Sequence, residues 1–314
     1  MMIQAIAENI LAADPDPAVA VRLLRDVLRR PPDDADLRAA QARLESSRWV
    51  TLLAAEQHPD GGWGRFHTRD TRLDQQTGTT EQGVWRALAL GLDPAHPVLA
   101  RAADYCAGLL RGDLPFPDPA ERNNRWTTGW RLFTASVLAQ IRPNDPALEP
   151  VAALWCEIAR RAFASGQFSR ADEQAAHADL TGAAMAGSYL ELQNRYAVAL
   201  LGATLPADLE TRLLDWLWSG SLGYLDARLD RREVPVEAGT RELWFAALEV
   251  LRGYAGWGGI RARIAPLLWT AYTEGIGWDF GKRASWGAAL PLSEDWRRRG
   301  RRAHDWTARV LTLL

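Results

Sequence analysis

The stretch 56–110 decides the fold: EQHPDGGWGRF (56–66), GTTEQGVWRALALGL (78–92) and HPVLARAADYCAGLL (96–110). One helix ends before Gly61-Gly62-Trp63, because two glycines permit a tight exit that side-chain-bearing residues resist. A polar loop follows. A second helix then starts near Thr80 and runs through VWRALAL (84–90). A short turn at Gly91–Pro94 leads to His96-Pro97, which puts proline where a first helical turn tolerates it. Beyond it, Leu99, Ala103, Cys106 and Leu110 recur at helical spacing. The unit is a helical hairpin.

The same glycine punctuation recurs along the chain. Helices are expected to end before Gly61, Gly112, Gly166, Gly220 and Gly275, at steps of 51, 54, 54 and 55 residues. Each second helix has an aromatic near its start: Trp85, Trp130, Tyr196, Trp244 and Trp306, in segments that align with one another. From each glycine to its aromatic the gaps are unequal: 24, 18, 30, 24 and 31 residues. The links back to the next first helix are short, which puts all long loops on one face. The second helices are apolar, as in Trp244–Leu248, and the first helices carry charges such as Asp36, Arg38, Glu157 and Arg161. An apolar inner layer and a charged outer one favour a closed ring over an open solenoid. The expected fold is all-α: a single (α/α) toroid of five to six hairpins over 1–314, with 1–30 completing or capping it.

Composition sets the outer bounds. The 314 residues are 47% hydrophobic and 24% charged, enough for a packed core. A net charge of −2 argues against a chain built to coat nucleic acid. The two cysteines fit a reducing compartment, no apolar run approaches a membrane span, and the N-terminus lacks a basic leader, so a cytoplasmic protein is expected. Two biases stand out. Trp supplies 15 residues, more than Tyr and Phe together, and Lys282 is the lone lysine among 37 basic residues. Arginine richness follows from a GC-rich genome or from phosphate recognition. Tryptophan richness means either a Trp-rich core or indole faces lining a cavity.

Residues 56–110 resemble the repeat of squalene–hopene cyclases and protein prenyltransferase beta subunits. Gln57, Asp60, Gly61, Gly62, Trp63 and Gly64 match its first part, and Thr80, Gln82, Trp85, Ala87 and Leu88 its second. Later units keep only a glycine–aromatic core: Gly166–Phe168, Gly223-Tyr224 and Gly277-Trp278. The resemblance implies inner helices around an apolar central cavity. Trp63, Phe168 and Trp278 read as plugs between hairpins, with Gln57 bonding nearby backbone.

The chemistry associated with that resemblance lacks its motifs here. No Asp-x-Asp-Asp or Asp-Asp-x-x-Asp is present. Asp104-Tyr105-Cys106 imitates two zinc ligands but falls mid-helix, and Cys106 and Cys156 read as small core residues. No metal and no cofactor are expected, and His58, His67, His96 and His177 read as solvated loop residues. The second-helix starts remain. Asp305 and Glu81 are the candidate proton donors, since burial raises a carboxyl pKa. Trp85, Trp126, Trp130, Gln193, Tyr196, Arg241, Trp244, Arg302, His304 and Trp306 are the candidate ligand-binding residues. Arg297, Arg298, Arg299, Arg301 and Arg302 form either an anion site or a solvated charge run.

These observations lead to a terpenoid-cyclase-like toroid binding an apolar or isoprenoid-type small molecule in a Trp-lined cavity, with cyclisation or modification open. The alternative is a non-catalytic helical scaffold that binds a protein through its long-loop face. A third reading, a nucleic-acid or nucleotide binder, rests on the arginines alone. An amphipathic ligand with an anionic head would match both the arginines and the aromatics.

Overall fold

The structure, a computed structural model, describes residues 2–183, 189–202, 204–223, 227–284 and 290–314. Among these the chain is mostly helical, with α1 (Met2–Ala12), α2 (Pro17–Arg22, continuing through a π-helical turn to Val27), α3 (Ala35–Glu45), α4 (Arg48–Glu56), α5 (Thr80–Leu90), α6 (Pro97–Arg111) and α7 (Trp126–Ile141). Then come α8 (Glu149–Ala162), α9 (Arg170–Thr181), α10 (Arg195–Leu201), α11 (Ala207–Ser219), α12 (Ala238–Leu251), α13 (Trp257–Thr270) and α14 (Arg299–Leu311). Among the described residues the only sheet is a two-residue pair, Ser221–Leu222 with Ala227–Arg228. No helix is long and apolar enough to cross a membrane among the described residues.

The alternation read from the sequence is present. α4, α6, α8, α11 and α13 precede the five punctuating glycines, and α5, α7, α10, α12 and α14 follow the long loops. Helix starts have local causes. Thr79 accepts from the Gln82 amide, Asn194 from Tyr196 and Glu237 from Gly239 and Thr240, each satisfying an orphan N–H. Gly112 ends α6 at φ 84°, a left-handed cap open to glycine without strain.

Packing joins the two ends of the chain. α2 packs against α3, α5 and α14, and α1 against α14. Arg22 and Arg25 of this segment donate to the Ala89 and Gly91 carbonyls at the end of α5 (2.9 and 2.7 Å). Arg301 pairs with Asp16 at 3.3 Å, and Glu294 accepts from the Arg48 amide. The long loops are also tied in chain order. Asp118 binds the 66–68 backbone, Asn124 donates to the Gly182 carbonyl, Asn194 bridges to Gly223, and Arg241 donates to the carbonyls of Val236 and Lys282.

The tryptophan plugs are buried as expected. Trp63 and Trp278 are both fully buried. Each indole donates to a carbonyl ten residues back, Leu53 at 2.9 Å and Leu268 at 2.6 Å. Each backbone N–H donates to a threonine hydroxyl, Thr80 or Thr307, both at 3.0 Å. A Cβ at Gly83 would meet the Trp63 ring at 2.6 Å, so the facing helix must be bare there. Gln57 donates to the Gly61 and Val98 carbonyls. Phe168 stacks on Trp216 at 3.9 Å, and Tyr224 lies outside the described residues.

These bonds correct the aromatic alignment. Thr80 and Thr307 are the equivalent residues. Trp85 follows its threonine by five residues, whereas Trp306 precedes its own by one. The last unit is therefore displaced by six residues, because the loop after Trp278 is longer and α14 extends further ahead of its threonine.

Candidate functional site

Between α4, α5 and the segment after Leu290 lies a cavity of about 620 Å³, within the size range of small-molecule pockets. Its walls come from two helix faces. On α4, Leu52 and Leu53 lie three and four residues after Trp49, and on α5, Trp85 and Arg86 lie three and four residues after Gln82, the offsets that share a face. Leu290, Pro291, Trp296, Arg283 and Arg297 complete the wall. Three indoles and three guanidinium groups thus share one cavity, and no carboxylate is among its described lining residues.

The polar atoms of this wall are unevenly satisfied. Arg86 lies over the Trp49 ring at 4.3 Å and donates through Nη1 to the Pro291 carbonyl at 2.5 Å. Its Nη2, and the Nε1 atoms of Trp49 and Trp85, are buried without a hydrogen-bond partner among the described residues. Burial, with Arg283 nearby, lowers the Arg86 pKa to about 10, so it remains a cation at neutral pH. Arg283 is neutralised: it forms a two-pronged pair with Glu242 at 2.8 and 3.0 Å.

On the same helix, Glu81 belongs to a different cluster. Its side chain is 3% exposed. Oε2 lies 2.9 Å from His67 Nδ1 and accepts from the Tyr196 hydroxyl at 3.2 Å, while Oε1 is buried without a partner among the described residues. Burial raises the carboxyl pKa, against the pull of His67. Burial alone would lower the His67 pKa, but the bond and charge of Glu81, helped by Asp118 and Glu121, raise it. His67 is no solvated loop residue: it stacks on Phe133 at 4.7 Å. Asp118 fixes its backbone, accepting from the amides of Phe66 (2.6 Å), His67 (3.1 Å) and Thr68 (2.7 Å) and from the Thr68 hydroxyl (2.8 Å). The pair can hold and pass a proton, with Tyr196 fixing its geometry.

Asp305, the other candidate donor, is tied to chain segments. It accepts from the Leu292 amide (3.0 Å), the Ser293 amide (3.3 Å) and the Ser293 hydroxyl. Burial raises its pKa, opposed by those bonds and by Arg283. Its geometry anchors the segment that carries Leu290 and Pro291 to α14.

The candidate ligand residues fall into separate contact groups. Trp126 and Trp130 pack with Phe116, Tyr196 with Phe133 and His67, and Trp244 and Trp306 with Phe245. Of the candidate proton donors and ligand-binding residues, Trp85 alone is among the described lining of the cavity, with Arg195 over its ring at 3.7 Å. Gln193 donates to Glu191, and Arg241 is spent on loop carbonyls. Arg302 pairs twice with Asp279 at 2.8 Å. His304 is half-buried, its pKa lowered by burial and by Arg301. The arginine run is likewise dispersed: Arg298 faces Asp295, Arg301 faces Asp16, and Arg297 lines the cavity. Asp104 and Cys106 point apart, the first exposed and paired with Arg142, the second fully buried.

Trp49, Arg86, Trp296, His67 and Asp118 were missed by the sequence reading. The signal for Arg86 was present, since Gln82, Trp85 and Arg86 share a helix face. Asp118 carried none, because its partners lie some 50 residues away in another loop.

No family model, curated protein or solved structure matches this chain.

Proposed function

We propose that the chain is an (α/α) toroid that takes an apolar or isoprenoid-type small molecule into the Trp49–Trp85–Trp296 cavity. The supporting observation is that cavity: indole and leucine walls of ligand-sized volume, opening beside the long loops. The closed-ring reading is supported by the contact of α2 with both α5 and α14, which links the first hairpin to the last. The site then lies between α4 and α5 and not at the ring centre, with Trp85 shared between the cavity and Arg195. Turnover, where it occurs, would use the Glu81–His67 pair, one residue along α5 from the cavity wall.

Titration of farnesol against intrinsic tryptophan fluorescence tests this. Saturable quenching is expected, with at least a ten-fold loss of affinity in Trp85→Ala. Glu81→Gln should leave that affinity unchanged and remove any product formation. No saturable signal from farnesol or from other apolar ligands of similar length would refute the reading.

A further inference from the structure

Resting on that small-molecule reading, we propose that the cavity selects a monoanionic amphiphile of the long-chain carboxylate class, its head at Arg86 and its tail along the indoles. Three guanidinium groups line that cavity, and they differ in what balances them. Arg283 is already neutralised by Glu242. Arg297 is exposed and lies over Trp296 at 5.0 Å, where water screens it. Arg86 is different. Its Nη2 is buried and unpartnered, and no carboxylate lies within ion-pair distance of it among the described residues. Beyond the Trp49 ring, its one guanidinium contact among the described residues is a carbonyl, and the opposing charge of buried Asp305 acts on it only from beyond ion-pair distance.

A buried cation with no counter-charge in contact is costly, and the cost is relieved when an oxyanion arrives. One buried cation with no carboxylate in contact offers one oxyanion a direct partner, while Arg283 is already paired with Glu242, so a multiply charged head would bring further anionic oxygens that no second buried cation of this wall is open to meet. The indole N–H groups of Trp49 and Trp85, without a partner among the described residues, are two more donors, and no carboxylate is among the described lining, which suits carboxylate oxygens and not an ammonium head. The Trp49 ring under Arg86 holds the guanidinium in place without lending it a negative charge. Leu52, Leu53, Leu290 and the indole faces then offer the tail an apolar channel wall.

The test compares three probes on the full chain by tryptophan quenching and by calorimetry: dodecanoate, dodecanol and farnesyl diphosphate, at constant ionic strength. Dodecanoate is expected to bind at least ten-fold tighter than dodecanol, and Arg86→Gln to bring the two within about two-fold. Equal binding of acid and alcohol by the unaltered protein would overturn the anion inference while leaving the cavity reading in place. A diphosphate preferred over dodecanoate by ten-fold or more would overturn the monoanion assignment. If none of the probes binds, both readings fall together. Circular dichroism and melting establish that Arg86→Gln folds. Should it not fold, the acid-against-alcohol comparison on the unaltered chain still decides the question.

Discussion

At the scale of single residues, Trp63 shows how the hairpins are held. Its ring is fully buried, its indole N–H is satisfied by Leu53, and Gly83 leaves the space it occupies. Trp63→Ala should cost ~3–5 kcal/mol, the range for a large buried aromatic, measured by urea unfolding. A loss under about 1 kcal/mol would contradict the plug assignment. The Glu81–His67 pair makes a pH prediction. Both pKa values are raised in the fold, so both groups bind protons more tightly folded than unfolded. The His67 contribution is complete below its unfolded value of 6.5 and is lost as pH rises through the folded one. The stability difference between the parent chain and His67→Gln should therefore shrink from pH 6 to pH 9. A difference that grows over that interval would show that Glu81 does not hold the imidazole charge. The plug was legible in the sequence because glycine–glycine–tryptophan has a local meaning. His67 was not, since its partners Glu81 and Tyr196 come from two different hairpins.

At the scale of elements, buried carboxylates fasten loops to helices. Asp305 holds Leu292 and Ser293 against α14, and Asp118 holds residues 66–68. Glu242 and Glu249 bind Arg309, and Glu242 also binds Arg283, which ties α12, α14 and the cavity wall into one ion network, buried at Glu242 and Arg283 and reaching the surface at Glu249. Asp305→Ala should cost roughly 2–4 kcal/mol, since it leaves two amides and a hydroxyl without their charged acceptor. It should also weaken ligand quenching, because Leu290 and Pro291 are the next residues along that segment. Hydrogen exchange that leaves the Leu292 and Ser293 amides as protected in Asp305→Ala as in the parent would contradict the anchoring role. Helix order and hairpin spacing could be read from periodicity and glycine position. The six-residue displacement of α14 could not. The aligned motif was an aromatic, and the residue that fixes register is the threonine bonded to the plug.

At the scale of the whole molecule, α2 joins the chain's beginning to its end. It contacts α5 and α14, and Arg22 and Arg25 cap the end of α5. Removing residues 1–30 should therefore lower the melting temperature of the entire chain and broaden the transition, as calorimetry would record. An unchanged transition would mean that this segment is peripheral. Composition made the apolar and indole-rich interior legible, but not which indoles would face a cavity. Trp130, Tyr196, Trp244 and Trp306 have the same sequence signature as Trp85, yet pack against aromatic neighbours. What separates Trp85 is that the segment after Leu290 shares its cavity, held there by the bond of neighbouring Arg86 to the Pro291 carbonyl, 205 residues away. The central claim, that this cavity is a ligand site, is tested most directly by a crystal structure of the chain grown with dodecanoate. The account predicts continuous density between Trp49, Trp85 and Trp296 with the carboxylate at Arg86. A cavity filled by protein side chains, or ligand bound elsewhere on the surface, would contradict it.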